Sequence, residues 1–217
     1  MDSSKTELAM STRRQWFTET IGVAAAMGIA LGMRRSSATG TKRFTTEFQR
    51  TCDMMAATRP TAVNLFWAIE QMKRAFAEAA QSGCGVSEIS ARLVEEARRI
   101  HDDDVASCRQ MGAFGASLVP ETARILTHCN AGWLATVDWG TATAPIYKAH
   151  DAGLKLHVFV SETRPRNQGA SLTAWELAQQ GISHQIIADN AAGYLMWRGE
   201  IDLLIVGSDR VLGRTGE

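Results

Sequence analysis

The sequence lacks the paired cysteines that mark a zinc site or a small disulfide-stapled domain. It contains four cysteines, which lie far apart and form no CxxC pair: Cys52, Cys84, Cys108 and Cys129. Structural zinc sites usually take cysteines in closely spaced pairs, and a disulfide framework needs many cysteines in a short chain. We therefore expect reduced thiols in a cytoplasmic protein.

An excess of either charge is also absent, because 23 lysines and arginines balance 23 aspartates and glutamates. Without a basic stripe, nucleic acid is not expected as a partner, and without an acidic tail no disordered segment is indicated. The chain is 45% apolar and 21% charged, as is typical of a soluble globular protein. Its 217 residues can bury the core of one large or two modest domains.

No apolar run is long enough to span a membrane, which takes roughly 20 residues, so no membrane partner is expected. The run at residues 21–33 follows Arg13 and Arg14, an arrangement that resembles a twin-arginine export signal. However, Glu19 lies between the arginines and the run, two more arginines follow it, and no clear A-x-A cleavage site is present. We interpret the run as a Gly/Ala-rich helix packed closely against a neighbour.

The first half of the chain has the spacing of amphipathic helices. From Thr61, apolar residues recur at i, i+3, i+4 and i+7: Ala62, Leu65, Phe66, Ile69, Met72 and Phe76. A second helix is predicted with Ser87 as its N-cap. It carries one apolar face of Ile89, Leu93, Ala97 and Ile100. These patterns predict a helical N-terminal domain over residues 1–118.

The run HDDD at residues 101–104 could pass for a metal-binding cluster. Consecutive residues of a helix point in different directions, so these four cannot converge on one ion without breaking the helix. We therefore predict a solvated helix face.

After Pro120, short apolar runs alternate with helical segments that end near a glycine. This alternation predicts an α/β domain over residues 119–217, a Rossmann-like parallel sheet with crossover helices. Ligands of such sheets bind at the carboxyl ends of the strands. The residues expected there are Cys129, Glu162, Thr163, Asp189, Asn190 and Asp209. No G-x-G-x-x-G follows the first strand, so a dinucleotide is not indicated, whereas a thiol and carboxylates suit proton transfer on a small polar substrate.

Several segments resemble one protein family in the correct order. They are ILTHCNAG, SETRPRNQGASLTAWEL, IIADNAAGYLM and LLIVGSDRV, preceded by IGVAAAMGIALG and RPTAVNLFWAIEQM. Together they resemble the methylthioribose-1-phosphate isomerase family, which is related to ribose-1,5-bisphosphate isomerases and to regulatory subunits of a translation-initiation guanine-nucleotide exchange factor. The resemblance covers nearly the whole chain from Ile21 onward.

The resemblance implies a helical N-terminal domain followed by a Rossmann-like domain, in a cytoplasmic homodimer. It implies interconversion of 5-methylthioribose 1-phosphate and 5-methylthioribulose 1-phosphate in methionine salvage, without a metal or nucleotide cofactor. The family's catalytic cysteine falls on Cys129 and its catalytic aspartate on Asp209, and its substrate-binding positions include Arg59 and Gln168. The regulatory subunits generally lack the Cys and Asp pair, so its presence favours an enzyme.

These residue types suit the implied reaction. A sugar 1-phosphate cannot open its ring as a free aldose does, so an acid is required at the ring oxygen. Asp209 would need burial to hold that proton near neutrality, and Cys129 would manage the hydrogen that leaves C2. Whether this hydrogen moves as a proton or as a hydride is left open by the residues.

Two departures from the family pattern concern the ends of the chain. Family members carry RGAP where this chain has FTET before Ile21, and they continue into an ANK motif beyond residue 217. We therefore expect a chain truncated at both ends, with an incomplete sheet and weak turnover. Two alternatives stay open: a related isomerase of ribose 1,5-bisphosphate or 5-deoxyribose 1-phosphate, and a non-catalytic regulatory subunit.

Overall fold

The fold is that of a computed structural model, in which residues 20–59 and 63–208 are described. The chain forms two compact units, Met1–Asp104 and Val105–Glu217. The division falls inside the fourth helix, whereas the sequence placed the domain boundary after that helix, at residues 118 and 119. The last turns of the helix belong to the second unit because they pack there, with Gly112 close against Ala144.

The first unit is helical, as predicted. It contains α1 (Thr20–Arg34), α2 (Thr41–Thr58), α3 (Val63–Gln81) and the first part of α4 (Val86–Ala116). Helix α1 packs closely on α3. At Gly22 there is no room for a side chain, since a Cβ there would lie 2.8 Å from the carbonyl oxygen of Asn64. The interpretation of this segment as a closely packed Gly/Ala-rich helix is confirmed. Among the described residues, no helix combines the length and apolarity needed to cross a bilayer.

The predicted apolar faces of α3 and α4 are largely confirmed. The buried residues are Leu65, Ile69, Met72 and Phe76 on α3, and Ile89, Leu93, Ala97 and Ile100 on α4. The prediction that Phe66 lies on the buried face was wrong, because Phe66 is 41% exposed. It directly follows Leu65 and so lies about 100° around the helix from that buried position. Ala62 lies outside the described residues.

The predicted start of α4 was also wrong. The helix begins at Val86, and the carbonyl oxygen of Gly85 accepts the amide of Ile89. The carboxylate of Glu88 reaches back to accept the amide of Gly85 at 3.0 Å. Gly85 therefore occupies the N-cap position, and Ser87 lies inside the first turn.

The HDDD run is solvated only in part. Asp102 and Asp103 are exposed, and Asp103 accepts a hydrogen bond from Arg99 at 2.6 Å. Asp104 is fully buried, so the prediction was wrong at that residue. Within the part of the chain that the structure describes, no group of His, Cys, Asp or Glu side chains is arranged to hold a metal ion.

The second unit contains a four-stranded parallel sheet. Its strands are β1 (Thr122–Thr127), β2 (Lys155–Ser161), β3 (Ser183–Ile187) and β4 (Leu203–Leu204). The intervening helices are α5 (Ala144–Asp151), α6 (Ala174–Gln179) and α7 (Ala191–Trp197), and a π-helical turn at Gly169–Thr173 leads into α6. The predicted alternation of strands and crossover helices is confirmed.

The core of the second unit lies between the sheet and helices α5 and α6. Ile125 of β1 pairs in register with Val158 of β2 and with Leu203 of β4, so the three side chains share one face. This face packs against Ile146 and Leu177 of the helices, both fully buried. Burial of apolar surface contributes about 25 cal/mol per Å². A shift of one residue would turn these side chains to the other face of the sheet and lose that contribution, so their burial fixes the register of the strands.

The strand order is β3-β2-β1-β4. Strands β2 and β3 therefore extend from one side of β1, and the chain then crosses to place β4 on its other side. This is the order of the first four strands of a doubly wound nucleotide-binding sheet, whose ligand crevice lies where the order reverses. That point is at the carboxyl ends of β1 and β4, and Cys129 follows the end of β1 by two residues.

Candidate active site

Cys129 lies two residues beyond the end of β1, at the edge of the sheet where the crevice is expected. Its thiol is free and its side chain is partly exposed. Its backbone is in the left-handed region, with φ at +61°. A residue with a side chain loses about 1–2 kcal/mol in this conformation, so the surrounding structure must hold it there.

Two threonine hydroxyls hold the backbone of Cys129. The amide of Cys129 donates to Oγ1 of Thr163 at 2.8 Å, and its carbonyl oxygen accepts from Oγ1 of Thr173 at 2.6 Å. Thr163 is 9% exposed and Thr173 only 1%. We call these two residues the threonine clamp. Because they come from different segments after β2, the clamp ties Cys129 to the neighbouring part of the sheet edge.

Asp189, which follows β3, supports the clamp. Its carboxylate accepts the backbone amides of Thr163 and Arg164, each at 2.8 Å. These hydrogen bonds, first that of Arg164 and then that of Thr163, hold the pKa of Asp189 below its ordinary value, and the charge of His128 acts in the same direction. The carboxylate of Asp189 therefore anchors the loop that follows β2.

Gln168 lies at the end of that same loop. It occupies the N-cap position of the π-helical turn and is partly buried. The structure thus brings Cys129 and the Gln168-bearing loop to one edge of the second unit, since Thr163 of this loop bonds to Cys129. Arg59 is an exposed residue at the C-terminal end of α2 in the first unit. Asp209 lies outside the described residues and stays a prediction.

The sequence patterns did not single out Glu176, yet this residue accepts hydrogen bonds from the loop that follows Cys129. Its carboxylate is fully buried and accepts four hydrogen bonds. The donors are Asn130 Nδ2 (2.9 Å), the amides of Trp133 (3.1 Å) and Leu134 (3.0 Å), and the hydroxyl of Tyr147 (2.8 Å). Burial, and then the negative charge of Glu176, raise the pKa of Tyr147 well above its usual range.

The sequence held no clear signal for Glu176. In the structure Glu176 lies on the core face of α6 between Thr173 and Leu177, both buried, where an acidic residue is seldom found unless it is paired or hydrogen-bonded. Apolar spacing could not reveal this face, because Thr173 is polar and the apolar residues Leu172 and Trp175 are exposed. The donors could not be read either, because they come from residues 130–147.

A separate open cavity of about 770 Å³ lies in the first unit, between the end of α1 and the start of α4. Exposed side chains such as Arg34, Ser87 and Arg98 line it. None of the site residues predicted from the sequence lines this cavity. The strand-end cluster around Cys129 is therefore the better candidate for the site.

Comparison with known proteins assigns the chain to a family. Residues 18–216 match the sequence model of the initiation factor 2 subunit family. The chain belongs to that family. It is 52% identical over 197 residues to the methylthioribose-1-phosphate isomerase of Methylorubrum extorquens, a match that covers 88% of this chain and 51% of that protein. The resemblance found from the sequence motifs is confirmed.

Two solved structures share the fold. The 5-methylthioribose 1-phosphate isomerase from Pyrococcus horikoshii superposes with a TM-score of 0.80 at 42% identity, over 88% of this chain and 53% of that one. The delta subunit of translation initiation factor eIF-2B from A. fulgidus gives a TM-score of 0.76 at 40% identity, over 88% and 55%. The chain spans about half the length of the curated relatives it matches.

Proposed function

We propose that this chain carries the Cys129 part of an aldose–ketose isomerase site that converts 5-methylthioribose 1-phosphate into 5-methylthioribulose 1-phosphate in methionine salvage. One observation carries the proposal. A partly exposed thiol is held in a left-handed backbone conformation by the threonine clamp, at the strand end where doubly wound sheets bind ligands. A relative named for this activity is identical to the chain at 52% of 197 aligned residues.

The proposed reaction needs groups of the kind found at this edge. Its net change moves the hydrogen of C2 to C1, which oxidises C2 to a ketone and reduces C1, so no external oxidant takes part. An acid must first protonate the ring oxygen as the bond from C1 breaks, and a second group must handle the C2 hydrogen. We assign the acid to Asp209 and the second role to Cys129. Support for Asp209 comes from its place in the sequence after β4, the strand that pairs with β1.

The phosphate of the substrate requires fixed donors. Arg59 offers a planar guanidinium that can bind two phosphate oxygens at once, and Gln168 offers an amide from the loop that contacts Cys129. We propose both as substrate-binding residues, with no metal or nucleotide cofactor. The resemblance further implies a cytoplasmic homodimer, and we propose that form for the active protein.

A non-catalytic regulatory role is the second candidate, favoured by the 40% identity to the eIF-2B subunit from A. fulgidus. The threonine clamp supports the isomerase, because a regulatory surface has no need for a thiol in a costly backbone conformation. Other sugar phosphates, ribose 1,5-bisphosphate and 5-deoxyribose 1-phosphate, fit the same chemistry as substrates.

The test is a turnover assay with each of the three sugar phosphates, in which the ketose product is followed by ³¹P and ¹³C NMR. Because the chain spans about half the length of its relatives, two proteins are assayed: the 217-residue chain, and a chimera in which it carries the flanking segments of the Methylorubrum extorquens relative. We expect the chimera to act on 5-methylthioribose 1-phosphate and the chain alone to act weakly. Absence of turnover by the chimera with all three substrates would refute the proposal.

A further inference from the structure

We infer that Glu176 is a positioning residue for Cys129, whose buried carboxylate holds residues 130–134 in the shape that presents the thiol at the end of β1. This inference rests on the proposed role of Cys129, and it adds a residue that does not itself touch substrate. Glu176 accepts hydrogen bonds from the loop after Cys129, it leaves room only for a glycine in that loop, and hydrogen bonds connect it to the backbone of Cys129.

Three of the four donors to Glu176 belong to the loop that follows Cys129. Oε1 accepts from Asn130 Nδ2 and from the amide of Leu134, and Oε2 accepts from the amide of Trp133 and from the hydroxyl of Tyr147. An ionised carboxylate offers about four acceptor positions, so this set of donors fills them. The loop is therefore wrapped around the carboxylate.

Gly132 shows how closely the loop follows Glu176. A Cβ at residue 132 would overlap Oε2 of Glu176, so only glycine fits between Ala131 and Trp133. The close approach brings the two following amides of the loop onto the carboxylate oxygens. A glycine at residue 132 therefore allows the loop to bend close around the carboxylate of Glu176.

Asn130 connects this network to Cys129. It follows Cys129 in the chain, and its Nδ2 donates both to Glu176 and to Oγ1 of Thr173, at 3.1 Å for the latter. The Thr173 hydroxyl then donates its only hydrogen to the carbonyl oxygen of Cys129. A continuous series of hydrogen bonds therefore runs from Glu176 through Asn130 and Thr173 to the backbone of Cys129.

The absence of a cationic partner supports a positioning role. None of the ion pairs between described side chains includes Glu176. Burying a carboxylate is costly, and apolar residues of similar volume often stabilise a core as well or better. What the carboxylate provides, and an apolar side chain cannot, is one defined arrangement for four donors.

The experiment compares Glu176→Gln with Tyr147→Phe. The first variant keeps the size of the side chain but turns one acceptor into a donor against the loop, whereas the second removes only the donor from α5 and leaves the loop contacts in place. Hydrogen exchange of the Trp133 and Leu134 amides is measured in the 217-residue chain, and kcat and KM, normalised to folded protein, in the chimera. If Glu176→Gln does not fold, Asn130→Ala replaces it, since this variant keeps Glu176 and three of its donors.

For Glu176→Gln we expect amide exchange at Trp133 and Leu134 to rise about tenfold or more, and kcat to fall by a similar factor with KM within about twofold. Tyr147→Phe should lower stability and leave both loop exchange and kcat near those of the wild type. Asn130→Ala should lower kcat and spare the two amides. Equal effects of Glu176→Gln and Tyr147→Phe on kcat, or a wild-type kcat in Asn130→Ala, would overturn the inference.

A failure of the proposed function gives a different result. In that case the wild-type chimera would not turn over any sugar phosphate, and the rate at which iodoacetamide alkylates Cys129 in the chain would decide the positioning role by itself. We expect that rate to change about fivefold or more in Glu176→Gln and to be unchanged in Tyr147→Phe. No change in either variant would overturn the inference without reference to activity.

Discussion

Replacing Thr173 with valine should destabilise the second unit and release Cys129. Valine has nearly the same shape, so the packing around this residue, which is 1% exposed, is kept while the hydroxyl is lost. Two hydrogen bonds disappear, the 2.6 Å bond to the carbonyl oxygen of Cys129 and the 3.1 Å bond from Asn130. At about 0.5–1.5 kcal/mol for each bond, we expect a loss of about 1–3 kcal/mol in the free energy of unfolding.

The measurement is hydrogen exchange of the β1 and β2 amides, because it reports the stability of the second unit separately from that of the first. Thr45→Val serves as a control for the substitution itself, since it removes a hydroxyl that bonds to the carbonyl oxygen of Thr41 on an exposed face of α2 in the first unit, so exchange of the β1 and β2 amides should stay at the wild-type rate. Surface changes of this kind usually alter stability by no more than about 0.5 kcal/mol. If Thr173→Val were as stable as Thr45→Val, the threonine clamp would not hold Cys129 as described.

The remaining predictions concern the catalytic, acidic and phosphate-binding groups. In the chimera, Cys129→Ser and Asp209→Asn should each lower kcat about a hundredfold or more while the fold survives, because each removes a proton-transfer group, and turnover near that of the wild type in either would disprove its role. The pKa of Asp189 is lowered in the folded protein from an ordinary value of 3.8, so its contribution to stability is present above that value and is lost as pH falls through the folded-state pKa. Thermal unfolding from pH 6 down to pH 3 should therefore show a steeper loss of stability in the wild type than in Asp189→Asn, and parallel curves would contradict the anchoring role. Arg59→Lys should raise KM about tenfold or more by replacing a planar fork with a point charge, with kcat changed less, and an unchanged KM would remove Arg59 from the phosphate site.

The sequence alone was sufficient for the helical faces and for the class of the second unit. Ile89, Leu93, Ala97 and Ile100 recur at helical spacing, and all are buried because one side of a long helix must meet the core. Alternating apolar runs and helices require crossover connections, which make the strands parallel. The position of Cys129 at a strand end followed from the same pattern.

Periodicity failed where burial depends on partners that are distant in sequence. Phe66 and Asp104 show that spacing identifies the average face of a helix but not the exposure of each residue on it. Glu176 is the stronger case. Its donors Trp133 and Tyr147 lie 43 and 29 residues away, and no local pattern states that they will meet its carboxylate.

The strand order was likewise decided only by tertiary structure. A parallel sheet can be built in several orders from the same alternation of elements, and β1 comes to pair with both β2 and β4 because residues far apart in the chain pack on each of its sides. That order indicates at which edge of the sheet a ligand crevice is expected, and the bonds of Thr163 and Thr173 fix the backbone of Cys129 at that edge. Local sequence thus predicted which residues lie at the strand ends, whereas contacts between distant segments determined how Cys129 is held, because the hydrogen bonds that restrain it form only after the sheet has assembled.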